Sequence, residues 1–220
     1  MTGAGRGIGA ATAAALAEPG GVVVVNYRSN DGAAAAACSR VVRAGARAVR
    51  VKADVTDPAQ VDALFAEISK EAGGLDVLVL NAGLPARYER LGQMSPETFE
   101  AQWRSQAFSA FLCLRRALPL LSKAGGDVVF ILSSVTAGDP PGYMAGYVAA
   151  KYALLGLARA LAAEAGAKGP RVHCVSPGMT ETDFIKDFPR PVVEAASEAQ
   201  GGLRSPDSVA AEVLGLLGRG

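Results

Sequence analysis

Short apolar runs alternate with longer amphipathic stretches along this chain. Val22 to Tyr27, Ala46 to Lys52, Leu75 to Leu80, Val128 to Leu132 and Arg171 to Val175 are short, largely apolar runs, which predicts strands. Helical patterning fills the intervals at Ala10 to Glu18, Asp31 to Ala44, Asp57 to about Gly73, Ser95 to about Leu121 and Met144 to Glu164. A last helix opens at Ser205. Asp57-Pro58, Ser95-Pro96 and Ser205-Pro206 each place a capping side chain before a first-turn proline. Pro19-Gly20 ends the first helix. Regular strand–helix alternation, without internal repeat, predicts an α/β fold. The sheet is parallel and doubly wound, with helices on both faces, in a single domain over 1–220.

Composition narrows the function. Half of the 220 residues are hydrophobic, enough for a sizeable core. The formal charge is +1 with no basic block, so no nucleic-acid partner is suggested. Cys38, Cys113 and Cys174 lack metal-ligand spacing, so no metal is expected and a reducing, cytoplasmic compartment is the default. No signal peptide or membrane-spanning run is present. His173 is the only histidine. A Ser-His-Asp triad would have to use it, and it reads instead as a packed or edge residue of a strand.

Ligands of such sheets bind beyond the carboxyl ends of the strands, and the distinctive motifs fall there. Thr2 to Gly9 reads TGAGRGIG before a helix. Glycines 3, 7 and 9 allow a tight turn and let backbone approach a pyrophosphate at the helix N-terminus. Alone, such a loop is also ordinary turn chemistry. Asn81-Ala82-Gly83, Ser134 and Pro177-Gly178 follow other strands. Tyr147 and Lys151 are four apart and share one helix face. A lysine ammonium beside a phenol favours the phenolate, and Ser134 adds a second hydroxyl. Together these groups can hold a carbonyl oxygen and hand it a proton. By itself a Y-x-x-x-K spacing usually marks a solvated helix face. Its convergence with the other strand-end motifs favours the functional reading.

With those motifs in order, the chain resembles the short-chain dehydrogenase/reductase family, nearest to its 3-oxoacyl-carrier-protein reductase-like members. The resemblance implies that Tyr147 is the proton donor, that Lys151 holds the nicotinamide ribose and lowers the Tyr147 pKa, and that Ser134 orients the carbonyl. It implies cofactor contacts at Gly3, Arg6, Gly7, Ile8 and Gly9, at Asp54 and Val55, at Asn81, Ala82 and Gly83, at Tyr147 and Lys151, and at Pro177, Gly178, Thr180 and Thr182. Gln106 stands where the family carries an asparagine thought to anchor a water, and Leu80 where a second asparagine often precedes N-A-G. The segment 181–202 would form a substrate lid, with an ordinary mobile loop as the plainer alternative. Its apolar residues permit an acyl chain and its basic ones an acidic carrier.

The second strand ends in Asn26-Tyr27-Arg28-Ser29, with no carboxylate before Asp31. An NAD-preferring fold usually places an acid there, so NADP(H) is expected over NAD(H). Arg28, with Arg6, would meet the 2′-phosphate, beside Ser29. The expected substrate is a small carbonyl compound or secondary alcohol, a 3-oxoacyl thioester among the candidates. Small residues on the helix from Tyr147 allow close helix approach, and the family pairs this helix, so a homodimer or homotetramer is expected. The family's strand before T-G-x-x-x-G-x-G and its last strand are absent from this sequence. The expectation is therefore an incomplete reading frame, with either a gap at the sheet centre or some other segment filling it. Two other function classes stay open: a nucleotide-binding protein without catalysis, and a truncated product.

Overall fold

The computed structural model describes residues 1–121, 125–167 and 169–219. Five strands form: β1 (Val22–Tyr27), β2 (Arg47–Lys52), β3 (Val77–Leu80), β4 (Asp127–Ile131) and β5 (Arg171–Val175). β1 pairs with β2, and β4 lies between β3 and β5, all parallel. Met1 and Thr2 sit between the two groups. The Met1 amine donates to the Val24 carbonyl, the Asn26 N–H donates to the Met1 carbonyl, and the Thr2 N–H donates to the Val79 carbonyl. Of the two expected outcomes, a gap or a substitute segment, the second holds over two residues.

Among the described residues eight α-helices flank the strands: α1 (Gly7–Ala15), α2 (Asp31–Arg43), α3 (Pro58–Ala72), α4 (Pro96–Trp103), α5 (Ser109–Leu121), α6 (Ala145–Ala165), α7 (Arg190–Ala199) and α8 (Pro206–Leu216). The three predicted Asp/Ser-Pro caps are all in place. Asp57 accepts from Ala59 and Gln60, Ser95 from Thr98, and Ser205 from Ser208. β4 shows why the fold has two covered faces. Val128, Phe130 and Leu132 join a core with Leu154, Ala158 and Leu161 of α6. Val129 and Ile131 point the other way, into a core with Val209 and Val213 of α8. The alternation of a pleated strand therefore buries every residue of β4.

Two elements depart from the sequence pattern. The expected continuous helix from Ser95 to Leu121 is interrupted by a π-helical turn at Arg104–Phe108. Such a turn inserts one residue and re-aims its side chains. Residues 190–199 form a helix, so the segment 181–202 is not an ordinary loop.

Candidate active site

One cavity of about 1540 Å³ opens beyond the carboxyl ends of the strands. It exceeds the ~300–1,000 Å³ of a typical single-ligand pocket. The expected catalytic and cofactor-contact residues all line it except Gln106; Thr2, Ala4 and Leu80 do not. The Gly-rich turn is built around Asn81. Its side-chain amide donates to the carbonyls of Thr2 (3.2 Å) and Gly3 (3.0 Å), and the Thr2 hydroxyl accepts from the N–H groups of Asn81 and Ala82. Gly3 adopts φ +59°, and a Cβ at Gly9 would stand 2.2 Å from the Gly3 carbonyl oxygen. Only glycine fits there, and the result is a bare backbone cradle at the start of α1.

The other strand ends complete the wall. Asn26 is buried and donates to the Ala53 carbonyl at 3.0 Å. Asp54 accepts from the N–H and hydroxyl of Thr56, which fixes the turn carrying Val55. The Pro177 carbonyl accepts from Ser134 N–H at 2.9 Å, and the Thr180 hydroxyl donates to the Gly178 carbonyl. Arg28 and Ser29 are exposed on the rim after β1.

Tyr147 and Lys151 are buried on the cavity side of α6, at 7% and 6% exposure. The Lys151 ammonium donates to the Ile131 carbonyl at 2.8 Å and lies 5.7 Å from the Tyr147 ring centre. Burial pulls Lys151 down from 10.5 to about 7. Burial pushes Tyr147 up to about 12, opposed by the nearby Ser133 side chain. The expected lowering of the Tyr147 pKa by Lys151 is therefore not what the structure displays. Desolvation of the phenolate dominates, and Tyr147 is in its O–H form at neutral pH.

Ser134, the serine that the sequence spacing pointed to, lines the cavity together with its neighbour Ser133. Ser133 is buried and extended (φ −167°), and it caps a short 3-10 turn, Ser134–Thr136. Ser134 also lines the cavity but is exposed. Strand parity would put Ser134 on the α6 side with Phe130 and Leu132. The turn that begins at Ser134 breaks that alternation, which no strand pattern signals in advance.

Gln106 lies apart from the cavity. It is 1% exposed, in the π-turn, and packs where Gly83 has no side chain, a Cβ there being 3.2 Å from its amide carbon. Neither amide atom of Gln106 has a hydrogen-bond partner. Leu80 is buried in the core. His173 is at the opposite end of the sheet, 2.7 Å from Asp127, which also receives two bonds from Arg171.

The segment 181–202 closes one side of the cavity. Arg6 reaches across to Asp183 at 3.0 Å, an exposed ion pair. At the other end the Gln200 amide donates to the Met179 carbonyl (2.6 Å) and accepts from its N–H (3.0 Å). Phe184 stands edge-on to the Tyr147 ring, with centres 5.6 Å apart.

A family profile described as Enoyl-(Acyl carrier protein) reductase matches residues 3–219. The chain belongs to the short-chain dehydrogenase/reductase family. It is 35% identical to a cis-4-hydroxycyclohexanecarboxylate dehydrogenase of Sinomonas cyclohexanicum, over 96% of this chain and 84% of that protein. It is 34% identical to a 3-oxoacyl-[acyl-carrier-protein] reductase of Synechocystis, over 97% and 85% respectively. The structure of a short chain dehydrogenase from Burkholderia cenocepacia in complex with NADP superimposes with a TM-score of 0.87 at 31% identity, covering 97% of this chain and 86% of that one. This short-chain dehydrogenase/reductase is thus an oxidoreductase of α/β architecture. Among its described residues no helix is long and apolar enough to cross a membrane.

Proposed function

We propose that this oxidoreductase uses NADP(H) to interconvert a carbonyl compound and a secondary alcohol, with reduction as the direction its resting protonation favours. The observation that carries the reading is a buried tyrosine, with a lysine one helical turn away, in the same cavity as the Gly-rich cradle. Gly3, Gly7, Ile8 and Gly9 would hold the pyrophosphate, with Asp54, Val55, Asn81, Ala82 and Gly83 along the adenosine half. Lys151, Pro177, Gly178, Thr180 and Thr182 would hold the nicotinamide half. NADPH bound there supplies the hydride.

Tyr147 gives its proton to the carbonyl oxygen as the alkoxide develops. A phenolate is left behind, and the nearby Lys151 ammonium stabilises it. Ser133 steadies the Tyr147 hydroxyl, and Ser134 is the second hydroxyl available to the carbonyl. General-acid catalysis of this kind contributes typically ~10²–10⁴-fold. Arg28 supports NADPH over NADH. Among the described residues it is the cavity-lining cation without an ion-pair or hydrogen-bond partner, whereas Arg6 is engaged by Asp183.

The relatives make 3-oxoacyl thioesters and ring alcohols natural first substrates to assay. For oligomerisation, Ala149, Tyr152, Gly156, Ala160 and Ala163 form an exposed stripe along α6 and Ala153 is half-buried, while Ala150 faces inward. Trp103 and Phe111 are exposed near the π-turn. These surfaces support a dimer or tetramer through α5 and α6.

The test is NADPH oxidation with a panel of ketones, repeated with Tyr147→Phe. The variant is expected to bind NADPH within about twofold of wild type and to lose turnover by at least ~10²-fold. Wild-type turnover in Tyr147→Phe would overturn the assignment.

A further inference from the structure

The helix α7 is amphipathic, yet none of its residues is buried. Its polar side is satisfied outward, with Arg190 paired to Glu194 at 2.9 Å. Its apolar side (Pro191, Val192, Ala195, Ala196 and Ala199) faces the cavity. With Phe188 the spacing is 188, 191, 192, 195, 196, 199, one helical face presented to empty space. The same cavity is bordered by the Tyr147 cluster, in which Val135 and Met144 pack with Phe184 and Phe188. The α7 face and this cluster together give the cavity an apolar lobe that Tyr147 also lines.

The charges around the cavity are unevenly placed. Arg6 is held by Asp183, Arg204 by Glu212, and Lys151 by the Ile131 carbonyl. Arg28 is on the far rim, after β1. The loop between Ser133 and α6 contributes Asp139, a carboxylate. Among the described residues, then, no free cation lines this lobe. A carboxylate or phosphate entering it would lose its water and meet apolar surface and a like charge, which is strongly unfavourable. A neutral ring loses only apolar hydration there, which favours binding.

We propose that this lobe selects neutral, apolar ketones, alicyclic or aromatic, and rejects substrates that carry an anionic group near the reacting carbon. The proposal rests on the reductase reading for the chemistry but not for the binding preference. In the reaction the carbonyl carbon gains a hydride from NADPH and the oxygen gains the Tyr147 proton. The products are a secondary alcohol and NADP⁺, and Tyr147 is reprotonated from solvent. The narrow apolar face of α7 sets the width available to the ring, so Ala195 and Ala196 are the positions where size and charge are read.

A matched pair of probes separates charge from shape: methyl 4-oxocyclohexanecarboxylate and the free 4-oxocyclohexanecarboxylate. Dissociation constants are measured calorimetrically on Tyr147→Phe saturated with NADPH, where no turnover intervenes. Catalytic efficiency is measured on the wild type. The ester is expected to bind at least tenfold more tightly than the carboxylate and to be reduced with a matching preference. Asp139→Asn should narrow the gap severalfold, and Ala196→Lys should reverse it. Equal or tighter binding of the carboxylate overturns the proposal, as does failure of the ester to bind below millimolar concentration. Binding in the expected order without NADPH oxidation by the wild type leaves the proposal standing and removes the reductase reading instead.

Discussion

Replacing Lys151 by methionine should make the protein more stable and almost inactive. Lys151 is buried, and desolvation lowers it from 10.5 to about 7. At about 1.4 kcal/mol per pH unit, keeping this amine out of water costs about 4 kcal/mol at pH 7 relative to the unfolded chain. Its single hydrogen bond goes to the Ile131 carbonyl. Methionine fills similar space without a charge but leaves that carbonyl short of a partner, a loss of about 1–3 kcal/mol. The net gain is then about 1–3 kcal/mol, a rise of roughly 2–10 °C in Tm for a domain of this size. The pH dependence is more diagnostic than the size. The folded-state pKa is below the unfolded one, so between about 7 and 10.5 the unfolded chain holds the extra proton. Wild-type stability from this group therefore rises through that window, and the penalty is fully present below it. Denaturant melts of both proteins at pH 7 and pH 10 should show the gap shrinking as pH rises. A Met variant that melts below wild type at pH 7, or a gap independent of pH, refutes the reasoning.

Arg28→Ala should raise the Kd for NADPH by about tenfold or more and leave NADH nearly unchanged, since a charge-assisted contact to phosphate is worth about 1.5–3 kcal/mol; fluorescence titration with each cofactor measures it. Ser134→Ala should lower kcat severalfold, because it removes the second hydroxyl available to the carbonyl, and steady-state kinetics with Ser133→Ala as the neighbouring control checks it. Gly9→Ala should impair both folding and cofactor binding, because its Cβ would stand 2.2 Å from the Gly3 carbonyl, and a chemical melt with an NADPH titration reads both.

The architecture was legible because its signals are local. Caps such as Asp57 and Ser95 act through backbone N–H groups two or three residues away, and continuous apolar runs such as Val128 to Leu132 require burial on both faces. The site was legible at the level of motifs, since the strand ends must converge in a parallel sheet. The 3-10 turn that begins at Ser134 is not legible in the strand pattern, because it sets in at a single residue after β4. The inward packing of Gln106 depends on a π-turn and on space left by Gly83, two features distant in sequence. The pKa of Tyr147 was misjudged because a neighbour-based argument omits burial, and burial is a property of the assembled fold. The helix at 190–199 had a signal, the spacing of Phe188, Val192, Ala195 and Ala199, but Pro189 and Pro191 around its first turn obscured it.

The two attachments of segment 181–202 respond differently to the solvent. The Gln200 amide grips the Met179 backbone through two neutral hydrogen bonds, which dissolved ions leave largely untouched. Arg6 and Asp183 are joined by a pair whose side chains are 60% and 64% exposed. Such a pair is screened over about 8 Å at physiological ionic strength and about 3 Å in molar salt. Raising the salt is thus expected to loosen the contact at Arg6 first, while the grip at Gln200 and the packing of Phe184 and Phe188 on the Tyr147 cluster hold the segment in place.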